Sequence, residues 1–128
     1  MKEETRKLLD KSAHAVRAAR LLLEGGETVF AMGRAYYAMF YVAEALLWED
    51  GRRSRSHSGV HSLFGEHFAK PGRLDPKYHR WLLAAFNARI QGDYGFDAVF
   101  APEEAGRTIE QASEFLTAAE AFLSSPGR

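Results

Sequence analysis

Apolar residues recur at helical spacing along almost the whole chain. Leu8, Leu9, Ser12, Val16, Ala19, Leu22 and Leu23 fall on one side of a helix predicted over Glu3–Glu24. Gly25-Gly26 follows, and glycine readily takes the left-handed conformation that ends a helix. A second helix is predicted from about Glu27 to Asp50, with Gly51 stopping it. Arg52-Arg53-Ser54-Arg55-Ser56 reads as a basic, polar loop. A short third helix follows, from His57 or Ser58 to Ala69, with Val60, Leu63, Phe64 and Phe68 on its apolar side. Pro71-Gly72 marks a turn. Asp75-Pro76 sets a capping carboxylate before a proline at the first helical position. It opens a fourth helix, Pro76 to about Gln91, which Gly92 and Gly95 are expected to interrupt. The last helix starts at Pro102, with Glu103 and Glu104 at the positive end of its dipole. Ala105, Ile109, Ala112, Leu116, Ala119 and Leu123 form its inward stripe, and Ser124-Ser125-Pro126-Gly127 reads as a frayed tail. No segment alternates with the period of a strand. The pattern predicts an all-α, up-and-down bundle of four long helices and one short one.

The second helix carries two stripes. At about 100° per residue, Met32, Tyr36, Met39, Phe40, Ala43, Leu46 and Leu47 share one side, which reads as core. Arg34, Tyr37, Tyr41, Glu44 and Trp48 share another. Tyrosine, tryptophan and arginine are residue types that line interfaces and ligand grooves. They also pack with polar tips at an ordinary surface.

Composition narrows the classes. A chain of 128 residues suits a single domain spanning 1–128, with its core at about 5–123. At that length about two-thirds of the chain's surface is buried on folding, so no staple is needed. Seventeen Lys and Arg balance seventeen Asp and Glu. That excludes a globally basic nucleic-acid coat but not a local basic patch. There is no cysteine, hence no disulfide, thiolate metal site or cysteine nucleophile. The charged N-terminal segment runs straight into the first helix and does not read as a signal peptide. Val29–Trp48 is long enough to span a bilayer, yet Arg34 and Glu44 lie inside it. A buried helix of a cytoplasmic bundle explains the stretch better than a membrane span.

Candidate chemistry gathers in two places. His57 and His61 are spaced i,i+4, which puts two imidazoles on one helix face, as a zinc pair requires. The glutamate that follows the first histidine of a metalloprotease helix is Ser58 here. A third ligand would have to come from His67, His79 or Asp93. Without one, no metal is expected; one histidine then caps or bonds and the other is solvated. His14 and His67 have no partner in the pattern. Near the end of the fourth helix, Asp93 lies i+4 from Arg89 and Tyr94 follows. Such a pair is an ordinary ion pair. An arginine held by a carboxylate at a glycine-broken helix end also suits phosphate.

Arg34-Ala-Tyr-Tyr-Ala-Met-Phe40, Ala43-Glu-Ala-Leu-Leu47, Ser56-His-Ser-Gly-Val60 with Phe64 and Phe68, and Arg89-Ile-Gln-Gly-Asp-Tyr94 together resemble the HEPN domain. The likeness is to its small, stand-alone prokaryotic branch and covers nearly the whole chain. It implies the same helical bundle. It also implies a metal-independent ribonuclease or an RNase-derived binding module of toxin–antitoxin systems. Such modules pair with a second copy, and often with a minimal nucleotidyltransferase. The family's site is an arginine followed, after four to six residues, by a histidine. Arg89 matches the arginine, but positions 94 to 96 are Tyr94, Gly95 and Phe96. The proton-transfer group is missing from its expected place, and a tyrosine with an ordinary pKa near ~10 replaces it poorly. Arg52 to His57, Arg55 to His61 and Arg73 to His79 also fit the bare spacing, away from the family's site. A composite site is the remaining arrangement. Arg89 and Asp93 would face His57 across the bundle or a dimer, with Tyr37 alongside.

Three functions follow. The first is a homo-oligomeric module that binds RNA, a nucleotide or a nucleotidyltransferase partner through Arg34, Tyr37, Tyr41, Arg52, Arg53, Arg55 and His61. The second is a ribonuclease toxin in which Arg89 stabilises phosphate charge and His57 or Tyr94 moves the proton. The third is a purely structural oligomer. No phosphate loop, nucleophile elbow or dinucleotide fingerprint is present, and no cofactor is expected.

Overall fold

The computed structural model describes residues 1–95 and 99–128. All regular structure among them is helical: α1 (Glu3–Glu24), α2 (Thr28–Glu49), α3 (His57–Phe64), α4 (Lys77–Tyr94) and α5 (Pro102–Ser124). α2 is the axis, packed against each of the other four. Small residues make this close approach feasible: Ala31, Ala35, Ala38, Ala43 and Ala45 are each wholly buried. On α1, the Ser12 hydroxyl is buried and donates to the Ala38 carbonyl at 2.8 Å. Its place in the apolar stripe is thereby satisfied.

The turns that flank α2 follow from glycine. Gly26 has φ +82° and Gly51 has φ +76°. Each lets a backbone N–H close over the preceding helix end: Glu27 to the Leu22 carbonyl, and Arg52 to that of Leu47, both at 2.8 Å. At the start of α4, the Asp75 carboxylate accepts from the Lys77 N–H at 2.9 Å. At the start of α5, the Ala101 N–H donates to the Glu104 carboxylate at 3.3 Å.

The third helix spans the expected residues, α-helical to Phe64 and then a wider π-helical turn over Gly65–Ala69. Three expectations are corrected. Gly92 does not interrupt α4, which runs on to Tyr94. A Cβ at Gly92 would lie 2.9 Å from Val29 Cγ1, so this glycine sets how closely α4 meets α2. Phe115, rather than its neighbour Leu116, is the large core residue of α5. It stacks on Tyr78 with centroids 5.0 Å apart and leans on Phe64 at 5.4 Å. The C-terminal tail is pinned, since the Arg128 guanidinium donates to Glu49 at 2.8 Å. The same carboxylate accepts from the Lys2 N–H and the Thr5 hydroxyl, each at 2.9 Å. Among the described residues no helix is long and apolar enough to cross a membrane.

Phe115→Ala should therefore cost about 3–5 kcal/mol in urea denaturation, as truncating an enclosed aromatic does. Leu21→Ala, at a side chain 69% exposed, should change stability by under about 0.5 kcal/mol.

Candidate functional site

The site is built where α2, α3 and α4 meet. The Ser56 hydroxyl accepts from the Gly59 N–H at 2.9 Å and caps α3, which starts at His57. A Cβ at Gly59 would come within 1.9 Å of Ser54 Oγ and 2.8 Å of Ser54 Cβ, so a larger residue there would displace the loop that carries the cap. The cap directs His57 down onto α2. Its ring stacks on Phe40 with centroids 4.3 Å apart. His57 Nδ1 lies 2.6 Å from the Tyr36 hydroxyl. One turn on, His61 Nε2 lies 2.8 Å from the same hydroxyl. From α4, Phe86 meets the His61 ring edge-on at 4.9 Å. His79 Nε2 donates to the His61 carbonyl at 3.0 Å.

Both histidines thus turn inward on one phenol. The expectation that one of them would be solvated is corrected. His61 is only 5% exposed, so it backs the site instead of facing a ligand directly. Among the described residues, no three His, Asp or Glu side chains group as a metal site.

One turn beyond Phe86, Arg89 lies across the mouth of this cluster. Its guanidinium is 5.1 Å from the centre of the Tyr37 ring and 5.8 Å from that of Tyr36. Asp93 holds its Nε at 3.1 Å. Arg34 approaches the Tyr37 ring too, at 4.7 Å, so two guanidiniums share one aromatic ring. At Gly33 a methyl would lie 3.9 Å from Arg89 Cγ, an ordinary contact, so α2 and the Arg89 stem meet here without requiring glycine. Leu22, Val29, Phe30, Gly33, Arg34, Tyr37, Arg89 and Asp93 enclose an open groove of about 440 Å³.

The electrostatics are asymmetric. Burial, and then the Arg89 charge, hold the His57 pKa below its ordinary value. Burial, with the two neighbouring histidines, lowers that of His61 to about 4. Burial, reinforced by Tyr37, pushes the Tyr36 phenol well above its usual range. At neutral pH the cluster is uncharged and the cations stand at its rim.

Arg34, Tyr37, His57, Arg89 and Asp93 are therefore together within one chain. The remaining sequence candidates lie elsewhere. Tyr41 sits one turn along α2 under Lys11, whose Nζ is 4.7 Å from the ring. Arg53 covers Trp48 at 3.9 Å, and Arg52 pairs with Asp50 at 3.4 Å. That is the far end of α2, about 16 Å along the helix from Tyr37. Arg55 is exposed on the same loop, and Tyr94 is 76% exposed at the end of α4. Phe96 lies outside the described residues. Sequence reasoning assigned Tyr36 to the core and missed its hydroxyl as part of the site. A tyrosine in an otherwise apolar stripe was the available signal, since an enclosed phenol needs a partner.

A family model described as the HEPN domain matches residues 5–122. The chain belongs to the HEPN domain family. It is 40% identical to a UPF0332 protein of Gloeobacter violaceus, over 96% of this chain and 98% of the relative. It is 32% identical to a Methanocaldococcus jannaschii protein bearing the name "Putative toxin", over 95% of this chain and 83% of that one. A second protein of that organism with the same style of name is 33% identical, over 91% and 86%. In this HEPN chain the imidazole whose pKa the Arg89 charge helps to lower is His57 of α3, and the residues that follow Arg89 on α4 include no histidine.

The buried histidine makes a thermodynamic prediction. Its pKa is depressed in the folded state, so its contribution to stability is fully present above the ordinary 6.5 and is lost as pH falls toward about 4. Unfolding free energy should drop by about 3 kcal/mol over that interval from this group. In His61→Gln the decline over the same interval should be shallower, measured by urea denaturation at stepped pH.

Proposed function

We propose that this HEPN chain is a toxin-like, metal-independent endoribonuclease that takes single-stranded RNA in the groove between α2 and α4. Arg89 and Arg34 contact the phosphate, and His57 is the proton-transfer group. The observation that carries the reading is that Arg89 and His57, from different helices, border the same Tyr36 and Tyr37 rings. In this chemistry His57 takes the proton from a ribose 2′-hydroxyl. The freed oxygen bonds to the adjacent phosphorus, the bond to the 5′-oxygen breaks, and that oxygen leaves with a proton from solvent. Arg89 stabilises the charge that gathers on the phosphoryl oxygens. Asp93 does not block this role. Its side chain is 43% exposed against 20% for that of Arg89, so solvent reaches the carboxylate and an incoming phosphate competes with it for the guanidinium. Tyr37, between the two guanidiniums, offers a face on which a base can stack.

Binding without turnover is the second reading, favoured by the absence of a histidine at positions 94 to 96 after Arg89. The HEPN resemblance adds a second copy of the chain and a minimal nucleotidyltransferase as partners. Leu21, Phe30 and Val99 keep apolar surface exposed that such partners could cover.

Purified protein incubated with single-stranded RNA in EDTA separates the readings. Cleavage is expected, with Arg89→Ala and His57→Ala each slower by about 100-fold. RNA binding without cleavage would establish the second reading instead. Because His57 acts in its neutral form, the rate should rise with pH through a midpoint below the ordinary 6.5. Affinity should fall as salt is added, since the contacts are to phosphate.

A further inference from the structure

Tyr36 is wholly buried. Its hydroxyl meets His57 through Nδ1 at 2.6 Å and His61 through Nε2 at 2.8 Å. A phenol has one proton to donate, and a neutral imidazole carries one N–H and one bare nitrogen. If both rings donated to Tyr36, its own proton would be enclosed without an acceptor. If neither did, a nitrogen lone pair would face an oxygen lone pair. Either defect leaves a buried polar group unpaired. One ring therefore donates and the other accepts.

Only two arrangements satisfy this. In the first, His57 Nδ1–H donates to Tyr36 and the Tyr36 O–H donates to His61 Nε2. Both rings then carry their proton on Nδ1, and His57 Nε2 is bare. In the second the direction reverses, both rings carry the proton on Nε2, and His57 presents an N–H. The ring contacts leave no competing choice among the described residues. Phe40 and Phe86 cover the ring faces and edges, while His79 bonds the His61 carbonyl and not its imidazole.

The geometry points to Tyr36 as a coupler: it ties the tautomer of His57 to that of the buried His61, and so fixes whether His57 Nε2 accepts or donates a proton. Tyr36 and His61 are positioning residues that act through His57. In the first arrangement His57 can gain a proton on Nε2 with both hydrogen bonds intact, as a base must. Burial keeps His61 uncharged, so the chain transmits orientation and not a proton. The consequence for catalysis rests on the ribonuclease reading; the coupling itself belongs to the free protein.

Ring-nitrogen NMR tests it on the full chain. The protein would be labelled with ¹⁵N and its long-range ¹H–¹⁵N spectrum recorded at about pH 7.5, above the ordinary histidine range. Signals would be assigned by their loss in His57→Gln and His61→Gln. The expected result is one tautomer for each of the two rings, and the same one. In Tyr36→Phe, His57 should relax to a mixture. RNA cleavage should then lose about tenfold in kcat, with KM within about twofold, since the phosphate contacts remain. Opposite tautomers, a mixture at His57 beside a single tautomer at His61, or a single tautomer kept in Tyr36→Phe would each overturn the coupling. If Tyr36→Phe does not fold, the unsubstituted spectrum decides. Matched tautomers in a protein that cleaves no RNA would refute the ribonuclease reading and leave the coupling standing.

Discussion

The hydroxyl of Tyr36 is enclosed in the middle of α2, and much of the molecule's arrangement answers that fact. Where a helix is buried, its polar atoms must be satisfied by the elements around it. α1 does so for the Ala38 carbonyl with Ser12. α3 does so for Tyr36 with two histidines one turn apart. The histidine spacing that looks like half a metal site is therefore explained by a phenol. The short α3 must start at His57 to deliver both rings, and the Ser56 cap on Gly59 makes it start there.

Charge is arranged around this uncharged centre. The chain is neutral in total, yet two guanidiniums converge on one tyrosine ring at the groove. The third-helix loop carries its own arginines, but they are spent locally: Arg53 lies on Trp48 and Arg52 on Asp50. Asp50 is further held by Arg73 at 2.9 Å, which keeps its carboxyl below the usual range. Density of arginine in the sequence thus marks one end of α2, while convergence of arginines from two helices marks the other. At the second, Arg34 and Arg89 line the open groove of about 440 Å³ while both lie against the Tyr37 ring.

Most of the fold was legible because helix boundaries and core stripes are local properties. The periodicity of α1 gives Glu3–Glu24 directly, and the glycines at 26 and 51 stop helices where their φ requires. The misreadings share a cause, which is contact between distant segments. Gly92 looks like a breaker from its neighbours alone, and only Val29 packed against it shows that it is a point of close approach. Phe115 and Leu116 are about 100° apart on one helix, and Tyr78 of α4 decides which of them is core. The same holds for the site. Arg89 with Asp93, and the stripe of Arg34 with Tyr37, were readable singly from i,i+4 and helical phase. That Tyr36 binds both His57 and His61 was not, since the distance between α2 and α3 depends on the whole bundle.

The arginine and following histidine that the HEPN resemblance implies would express a spatial need in sequence form. A phosphate needs a cation, and a proton needs a group whose pKa lies near the working pH. On one helix the two requirements become a fixed spacing along the chain. Nothing in the chemistry demands one helix. In this bundle α4 contributes the guanidinium and α3 an imidazole near enough to feel its charge. The neighbourhood of the cation helps keep that imidazole neutral, which is the form a base requires. The two rings of α2 that both groups border, Tyr36 and Tyr37, hold that relation in place. A search for the spacing alone passes over such an arrangement, whereas the burial of a tyrosine hydroxyl between two histidines leads to it.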